Sequence, residues 1–261
     1  MLATEALRLL TFYYRYVKDT IADLLQNKVD MSKLVITKAL TKDDYAAKQA
    51  HVELARRMKK RDAGSAPGLG DRVAYVMVRG AAGAKNYEKS EDPIYVLENN
   101  VPIDTQYYLD NQLAKPLGRI FEHILGEKEA RLLLTGDHTR TISVAAPSVG
   151  GLMKFAKKTQ TCMGCKKPLK GKEESAGAVC SDCAPRVGEL YKKTLNRVSE
   201  LEVRFSRLWT QCQRCQGSMH CEVICSSKDC PIFYMRMKAK KELEDTGKEL
   251  SRFDADQAAM W

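Results

Sequence analysis

Nine cysteines are the residues of this 261-residue chain best suited to chemistry, and all of them lie between residues 162 and 230. The first four form two Cys-x-x-Cys pairs that are separated by fourteen residues. Two such pairs let four thiolates converge at tetrahedral geometry, which makes a closed structural zinc site with no open position for catalysis. The sequence therefore predicts a zinc site made by Cys162, Cys165, Cys180 and Cys183.

A second cysteine cluster has less regular spacing. Its four predicted ligands are Cys212, Cys215, Cys225 and Cys230. His220 and Cys221 lie between them, so spacing alone leaves the choice of ligands open. Four thiolates can hold either zinc or an iron–sulfur cluster. Pro231 directly follows the last cysteine, as in some ferredoxin motifs, which favours iron–sulfur without settling the metal.

Composition limits the class of protein. Hydrophobic residues make up 44% of the chain, which is enough for a packed core. The sequence has no run of about 18 apolar residues and no basic, cleavable leader, so it predicts an intracellular chain without a transmembrane helix or signal peptide. In such a chain an odd number of closely spaced cysteines favours metal sites over disulfides.

The net charge of +10 is unevenly distributed. Residues 1–61 carry +6, residues 62–153 carry −3, residues 154–183 carry +4 and residues 184–261 carry +3. The two basic regions ahead of residue 184 flank an acidic one, a pattern that fits a polyanionic partner. A solvated basic surface explains the charge alone equally well. Four lysines surround the first cysteine cluster, namely Lys166, Lys167, Lys170 and Lys172.

Apolar periodicity divides the first part of the chain into helices and short strands. Helical spacing predicts a helix over residues 3–28, and LVITKAL (Leu34–Leu40) is typical of a strand. An approximate capping box at Thr41–Asp44 predicts a second helix that runs to Arg61. Asp71–Val78 alternates as a half-buried strand.

The rest of this region predicts one further helix. Asp104 is placed to cap a helix from about Gln106 to Leu125, with a kink at Pro116. Residues 126–151 are predicted to be irregular with weak strand signals. Residues 1–153 therefore predict a mostly helical domain with a small amount of sheet.

The cysteine-rich part predicts a helical hairpin that joins two metal modules, residues 162–183 and residues 212–230. Residues 184–211 carry a narrow apolar stripe suited to one partner helix. This stripe consists of Val187, Leu190, Val198, Leu201, Phe205 and Leu208. A last helix is predicted after Pro231, and pairing of the two helices would leave a face for another subunit. Residues 154–261 thus form the second predicted domain, and the fold class is mainly α with small β elements.

Long strings of the sequence resemble the eukaryotic family B replicative polymerases, specifically the delta type. FSRLWTQCQRCQG (Phe205–Gly217) and CSSKDCPIFYMR (Cys225–Arg236) carry the resemblance around the second cluster. GLGDRVAYVMV (Gly68–Val78) and SEDPIYVLENNVPIDTQYYLDNQL (Ser90–Leu113) resemble the polymerase thumb, as do LVITKAL and HVELARRMKKR. The resemblance spans essentially the whole chain.

The resemblance implies a nuclear role in DNA replication. It implies that the thumb grips the primer–template duplex and that the first cysteine module binds zinc and supports the sliding clamp, PCNA. It also implies that the second module holds a 4Fe–4S cluster, with zinc as a possible substitute, and docks the accessory B subunit. Cys221 has no place in the family pattern, and it is either a free thiol or a backup ligand.

The resemblance also implies a part of a nucleotidyltransferase that is inactive alone. The family aligns its primer and triphosphate through paired aspartates that hold two metal ions. Those motifs and the exonuclease carboxylates lie upstream in the family and are absent here. Asp43–Asp44 is predicted to open a helix, and Asp254 and Asp256 are predicted to lie in a terminal tail. No catalytic residue is therefore assigned.

A basic cluster is predicted to contact DNA phosphates. HVELARRMKKR (His51–Arg61) places five basic residues in its last six positions, more than a helix C-terminus needs. Contacts from Lys and Arg to phosphate are independent of sequence and sensitive to salt. The predicted contacts are Lys38, Arg57, Lys59, Lys60 and Arg61. The alternative is an independent zinc-binding nucleic-acid or scaffold protein, which the absence of an upstream frame encoding the aspartates would favour.

Overall fold

A computed structural model of the chain shows two compact units, residues 1–147 and residues 148–261. The residues that it describes are 2–42, 44–81, 83–141, 160–169 and 177–258. The predicted domain boundary at residue 153 lies outside the described residues and stays a prediction. Helices dominate both units and the sheet is small, as the sequence predicts. Across the described residues, no helix combines the length and apolar character needed to cross a bilayer.

The first unit combines helices with a three-stranded antiparallel sheet in the order β1-β2-β3. Its helices are α1 (Leu2–Leu25), α2 (Ala50–Arg61), α3 (Pro93–Asn99), α4 (Thr105–Tyr108), α5 (Ala114–Leu125) and α6 (Glu127–Leu134). Its strands are β1 (Ile36–Ala39), β2 (Arg72–Met77) and β3 (Ser90–Glu91). In the register, Ile36 lies opposite Tyr75, and Val76 lies opposite Glu91.

Strand β2 forms the centre of the first core. The alternation of its residues predicts a half-buried strand, but Val73–Met77 are all buried. This difference arises because α2, α3 and α4 all contact β2. The buried hydroxyl of Tyr108 accepts a hydrogen bond from the backbone N–H of Met77 at 2.9 Å and donates one to the carbonyl of Leu34 at 2.8 Å. This side chain therefore joins α4, β2 and the segment before β1.

Helix α1 forms where predicted, and among its side chains that the structure describes, from residue 8 onwards, the apolar face is buried towards the C-terminal end. Ile21, Leu24 and Leu25 are buried in the core. Phe12 and Tyr16 stack with their ring centroids 6.5 Å apart and are exposed by 62% and 61%. The middle of α1 therefore presents aromatic surface.

Helix α2 begins at Ala50, and the capping box predicted at Thr41–Asp44 is wrong. The Asp44 carboxylate accepts from the backbone N–H of Tyr45 at 3.1 Å, and the Thr41 and Tyr45 hydroxyls are 2.7 Å apart. These local side-chain bonds compete with a helical start at this point. The aspartate pair consequently does not open a helix; Asp43 itself lies outside the described residues.

The helix predicted from Gln106 to Leu125 is present but interrupted. The Asp104 carboxylate caps its start, accepting from the backbone N–H of Tyr107 at 3.1 Å. A π-helical turn over Leu109–Leu113 then separates α4 from α5. Pro116 lacks the N–H that would bond the carbonyl four residues earlier, and its ring crowds that carbonyl. A wider turn directly before the proline accommodates both effects.

The prediction of irregular structure after Gly126 is wrong for the residues that form α6. Gly126 has a φ of 85° and separates α5 from α6, which breaks the helical pattern read from the sequence. Glu127 and Glu129 occupy the first turn of α6, where negative charge stabilises a helix. Residues 142–151 lie outside the described residues.

The second unit contains the predicted helical hairpin. Its long helices are α7 (Val187–Gln216) and α8 (Pro231–Ala258), and they contact each other. The six stripe residues of α7 are buried or half-buried, and Leu201 is the most buried at 2% exposed. The Tyr191 and Phe253 rings meet edge to face at 5.8 Å. Because α8 continues to Ala258, the prediction that Asp254 and Asp256 lie in a tail is wrong; their stretch contains no helix-breaking Gly or Pro.

Candidate metal centres and basic surface

The first cysteine pair lies on a tight turn. Thr161 and Pro168 form an isolated antiparallel bridge that closes the base of this turn. The backbone N–H of Cys162 donates to the carbonyl of Lys167 at 2.9 Å, and that of Lys166 donates to the carbonyl of Cys162 at 3.0 Å. Lys166 takes a left-handed φ of 61°, which turns the chain back on itself.

The second cysteine pair lies on the turn that leads into α7. The backbone N–H groups of Cys183 and Ala184 both donate to the carbonyl of Cys180 at 3.0 Å. A short 3-10 helix over Ser181–Arg186 then runs directly into α7. The backbone N–H of Met163 donates to the carbonyl of Ala178 at 2.9 Å and so holds the two turns against each other.

The structure brings these four cysteines together. Their sulfur atoms all lie within 4.8 Å of one another, and Sγ of Cys165 is 3.7 Å from Sγ of Cys180. A tetrahedral zinc ion with Zn–S bonds of about 2.3 Å requires sulfurs about 3.8 Å apart. The donor set and its spacing therefore fit one zinc ion. Of the four lysines predicted around this site, Lys166 and Lys167 are exposed, and Lys170 and Lys172 lie outside the described residues.

The pKa values of the thiols at the first site favour binding of a cation. Burial raises the pKa of the Cys162 thiol, but hydrogen bonds from the backbone N–H groups of Cys165, Cys180 and Gly164 outweigh it and lower the pKa to about 6. Burial and the neighbouring sulfurs raise the pKa of Cys183 to about 12. Several thiolates in this space repel one another, and a divalent metal is the group that lets all four ionise.

The second cysteine set joins the facing ends of α7 and α8. Cys212 and Cys215 lie at the C-terminal end of α7, and Cys230 directly precedes the first residue of α8. The pKa of Cys212 is raised by burial and by the charges of the other three thiols, so the four share one neighbourhood. Within the described residues, the first set is the one group of three or more potential metal ligands whose ligand atoms converge.

The loop between Cys215 and Cys225 is tied back to α7. Gly217, with a φ of 79°, ends the helix, and the backbone N–H of Ser218 donates to the carbonyl of Gln213 at 3.2 Å. The Gln213 side chain donates to the carbonyls of Met219 at 3.1 Å and Cys221 at 3.2 Å. The Cys221 thiol itself is exposed.

The two arginines predicted to contact DNA are engaged by the protein itself. Arg57 is half-buried and donates to the carbonyls of Tyr87, at 3.3 Å, and Ser90. Arg61 makes two hydrogen bonds to the Glu91 carboxylate, at 2.9 and 2.6 Å, and its guanidinium lies 4.1 Å from the centre of the Tyr95 ring. These contacts fasten α2 to β3 and its flanking residues.

The three lysines predicted to contact DNA are exposed. Lys59 and Lys60 lie in the last turn of α2, and Lys38 lies on β1 opposite Val73. The charge of Lys38 acts on His51 at the start of α2, where burial first and this charge second lower the pKa of the imidazole. The exposed positive charge of this unit therefore includes both ends of α2.

Sequence reasoning missed two arginines of α8, Arg236 and Arg252. Arg236 is 6% exposed, and its guanidinium donates to the carbonyl of Cys225 at 2.7 Å. Arg252 donates to the carbonyl of Thr161 at 2.9 Å. No spacing rule marks these residues, because their partners are backbone atoms distant in sequence.

Comparison with known proteins connects these sites to one family. Residues 3–124 match the family described as DNA polymerase family B, and residues 162–236 match the C4-type zinc-finger of DNA polymerase delta. The first match covers α1 to nearly the end of α5, and the second covers both cysteine sets.

Individual relatives agree with the family matches. DNA polymerase delta catalytic subunits from Schizosaccharomyces pombe and Oryza sativa subsp. japonica are 66% and 59% identical, each over 92% of this chain. The Bos taurus subunit is 59% identical over 94% of the chain. The chain spans 22% of the length of each of these relatives. It is a member of the family B DNA polymerases, of the delta type.

Proposed function

We propose that this chain supplies the duplex-gripping thumb and the two metal modules of a delta-type replicative DNA polymerase that acts in the nucleus. The observation that carries the proposal is the four-thiol site, which lies within the segment matching the polymerase delta zinc finger. Nucleotidyl transfer needs paired carboxylates that hold two metal ions. The proposal assigns that step to parts of the polymerase that the chain does not span, so the chain alone would be inactive.

The first module would act as a structural zinc site that supports binding of the sliding clamp, PCNA. Four thiolates close the coordination sphere of zinc and leave no position for a substrate. Lys166 and Lys167 give the module an exposed positive charge. The Asp182 carboxylate lies 3.7 Å from the Lys167 ammonium and offsets part of this charge. A metal-stabilised basic surface suits docking to an acidic partner.

The second module would hold a 4Fe–4S cluster and dock the accessory B subunit. Its four cysteines are of the residue type that holds such clusters, and they lie around the facing ends of α7 and α8. Ile224 and Met219 in its loop are exposed by 87% and 47%. Val203 on α7 is exposed by 51%. Large exposed apolar side chains beside a metal-pinned loop offer a surface to another subunit.

The thumb would grip duplex DNA through exposed positive charge at α2. Lys38, Lys59 and Lys60 are free to reach phosphates, while the predicted contacts Arg57 and Arg61 are held by β3 and its neighbours. We therefore assign direct phosphate contact first to the lysines, with the arginines orienting α2. Such contacts carry no sequence information and permit sliding along any template.

Metal analysis of the anaerobically purified chain tests the proposal. One zinc, together with iron, sulfide and a broad visible absorption band, is the expected result. The Cys225→Ser variant should lose the iron, the sulfide and the colour while it keeps the zinc. Two zinc ions and no colour would overturn the iron–sulfur assignment, and a chain without bound metal would overturn both modules.

A further inference from the structure

Arg252 of α8 reaches into the loops that carry the ligands of the first metal site. Its Nη2 donates to the carbonyl of Thr161 at 2.9 Å and to the carbonyl of Gly177 at 3.1 Å. Thr161 directly precedes Cys162, and Gly177 lies just ahead of Cys180. One guanidinium thus bridges the two turns that supply the four thiols.

Arg236 of α8 has the corresponding position at the second site. Its Nη2 donates to the carbonyl of Cys225 at 2.7 Å, and its Nη1 donates to the carbonyl of Val223 at 3.5 Å. Its guanidinium also lies 5.9 Å from the centre of the Trp209 ring, on the end of α7 that carries Cys212. The guanidinium therefore contacts the loop that holds Cys225 and the end of α7 near Cys212.

Both arginines carry a cost that the metal-loaded sites would offset. The Nε atoms of Arg236 and Arg252 are buried without a hydrogen-bond partner among the described residues. A buried cation is retained where nearby negative charge and hydrogen bonds offset its lost hydration. Four thiolates around a divalent ion leave a net negative charge, which a neighbouring guanidinium stabilises. Without the metal, fewer of the thiols would ionise, and the same guanidinium would face less of that charge.

We propose that Arg252 and Arg236 are positioning residues that each lock one metal site onto helix α8. Arg252 serves the site of Cys162 and Arg236 serves the site of Cys212. The two arginines are sixteen residues apart, which is about 24 Å along a helix, so each acts on its own site. The inference rests on the proposed metal sites, and its test distinguishes failure of the inference from failure of the proposed function.

The test uses the full chain loaded with both metals and exposed to a graded series of chelator concentrations. Arg252→Gln should lower the metal affinity of the first site about 10–100-fold, the range typical of groups that orient metal ligands. It should leave the second site unchanged, and Arg236→Gln should show the reverse pattern. Lys240→Gln is the control, because it removes the same charge from an exposed position of α8. Elemental analysis measures the bound metal. If both sites hold zinc, the measurement is repeated in chains that carry Cys162→Ser or Cys225→Ser, so that each site is followed alone.

The conservative variants guard against simple unfolding. Arg252→Lys and Arg236→Lys keep the charge, but an ammonium on a flexible stem lacks the rigid, planar set of N–H donors that a guanidinium holds towards these carbonyls. With unchanged helical circular dichroism, they should show an intermediate, site-specific loss of affinity. A Gln variant that retains metal like the Lys240 control would overturn the inference alone. Equal loss from both sites in either variant would also overturn it, whereas a wild-type chain that binds no metal would overturn the proposed function.

Discussion

Gly164 is the position at which a single added carbon should disturb the first metal site most directly. A Cβ built on this residue would lie 2.9 Å from Sγ of Cys183 and 3.2 Å from Cδ1 of Leu190. Ordinary van der Waals contacts to a Cβ are 3.4 Å or longer, so Cys183 or the turn of Gly164 must move by about half an ångström. Gly164→Ala should therefore displace one of the four ligands.

The size of the effect follows from the tolerance of a metal site. Ligand distances in a well-formed site hold to within about 0.2 Å, so a shift of about half an ångström is too large to absorb at the ion. Adding a methylene to a packed region costs about 1–3 kcal/mol. If that cost falls wholly on the loaded state, zinc affinity drops about 5–150-fold.

Chelator competition on the purified chain measures this drop directly. Gly188→Ala is the matched control, because Gly188 lies in the first turn of α7 and nothing lies within 4 Å of its added Cβ. That variant should bind zinc normally, since alanine also favours the helix by about 1 kcal/mol. Zinc affinity within twofold of wild type in Gly164→Ala, or an equal loss in both variants, would refute the steric reasoning.

Two further perturbations probe the first unit. Tyr108→Phe leaves the backbone N–H of Met77 and the carbonyl of Leu34 without their partner and should lower the free energy of unfolding by about 2–3 kcal/mol. Urea denaturation of the full chain measures this free energy, and amide hydrogen exchange in β2 measures how readily the strand opens. Exchange rates in β2 equal to those of the wild type would contradict the prediction. Replacing Lys59 and Lys60 together by glutamine should lower the slope of log affinity against log salt by about 2 for duplex DNA. Fluorescence anisotropy with an unchanged slope would exclude both lysines from the interface.

The convergence of the first four cysteines could be predicted because its determinants are local. A Cys-x-x-Cys pair brings two sulfurs together on one turn, and the hydrogen bonds that form the turns of Cys162 and Cys180 span only a few residues. The second set was harder to define, since its cysteines lie on a helix end, a loop and the start of another helix. Spacing records none of the contacts that hold this loop, such as those from Gln213 to Met219 and Cys221.

The helices were predictable where an apolar stripe faces one partner, as in α7. Predictions failed where tertiary contacts decide. Strand β2 is covered on both faces, although its alternation suggests one exposed face. Helix α6 is too short for its periodicity to stand out, and α2 starts late because side-chain bonds around Tyr45 stabilise a different local conformation.

The basic end of α2 shows how a charge run can divide into two roles. Arg57 and Arg61 are four residues apart and lie on one helix face, where β3 receives them. Lys59 and Lys60 lie elsewhere on the helix and remain exposed. Helical spacing alone separates the two pairs, but it does not say which pair faces the protein. The arginine pair faces the protein because Arg61 bonds the carboxylate of Glu91, thirty residues away in the sequence.

The two proposed metal sites occupy opposite ends of one hairpin, and this placement favours an architectural role for both. Cys183 lies just before α7, a helix of 30 residues, and Cys212 lies near its end. Such a helix is about 45 Å long, too far for one ion to fix both ends. The second site joins the end of α7 to the start of α8. Near the other end of α8, Arg252 donates a hydrogen bond to Thr161 beside the first site. With both metals bound, the hairpin is pinned at each end. Removing either metal should therefore loosen its own end first, which is the behaviour expected of a rigid platform for partner subunits.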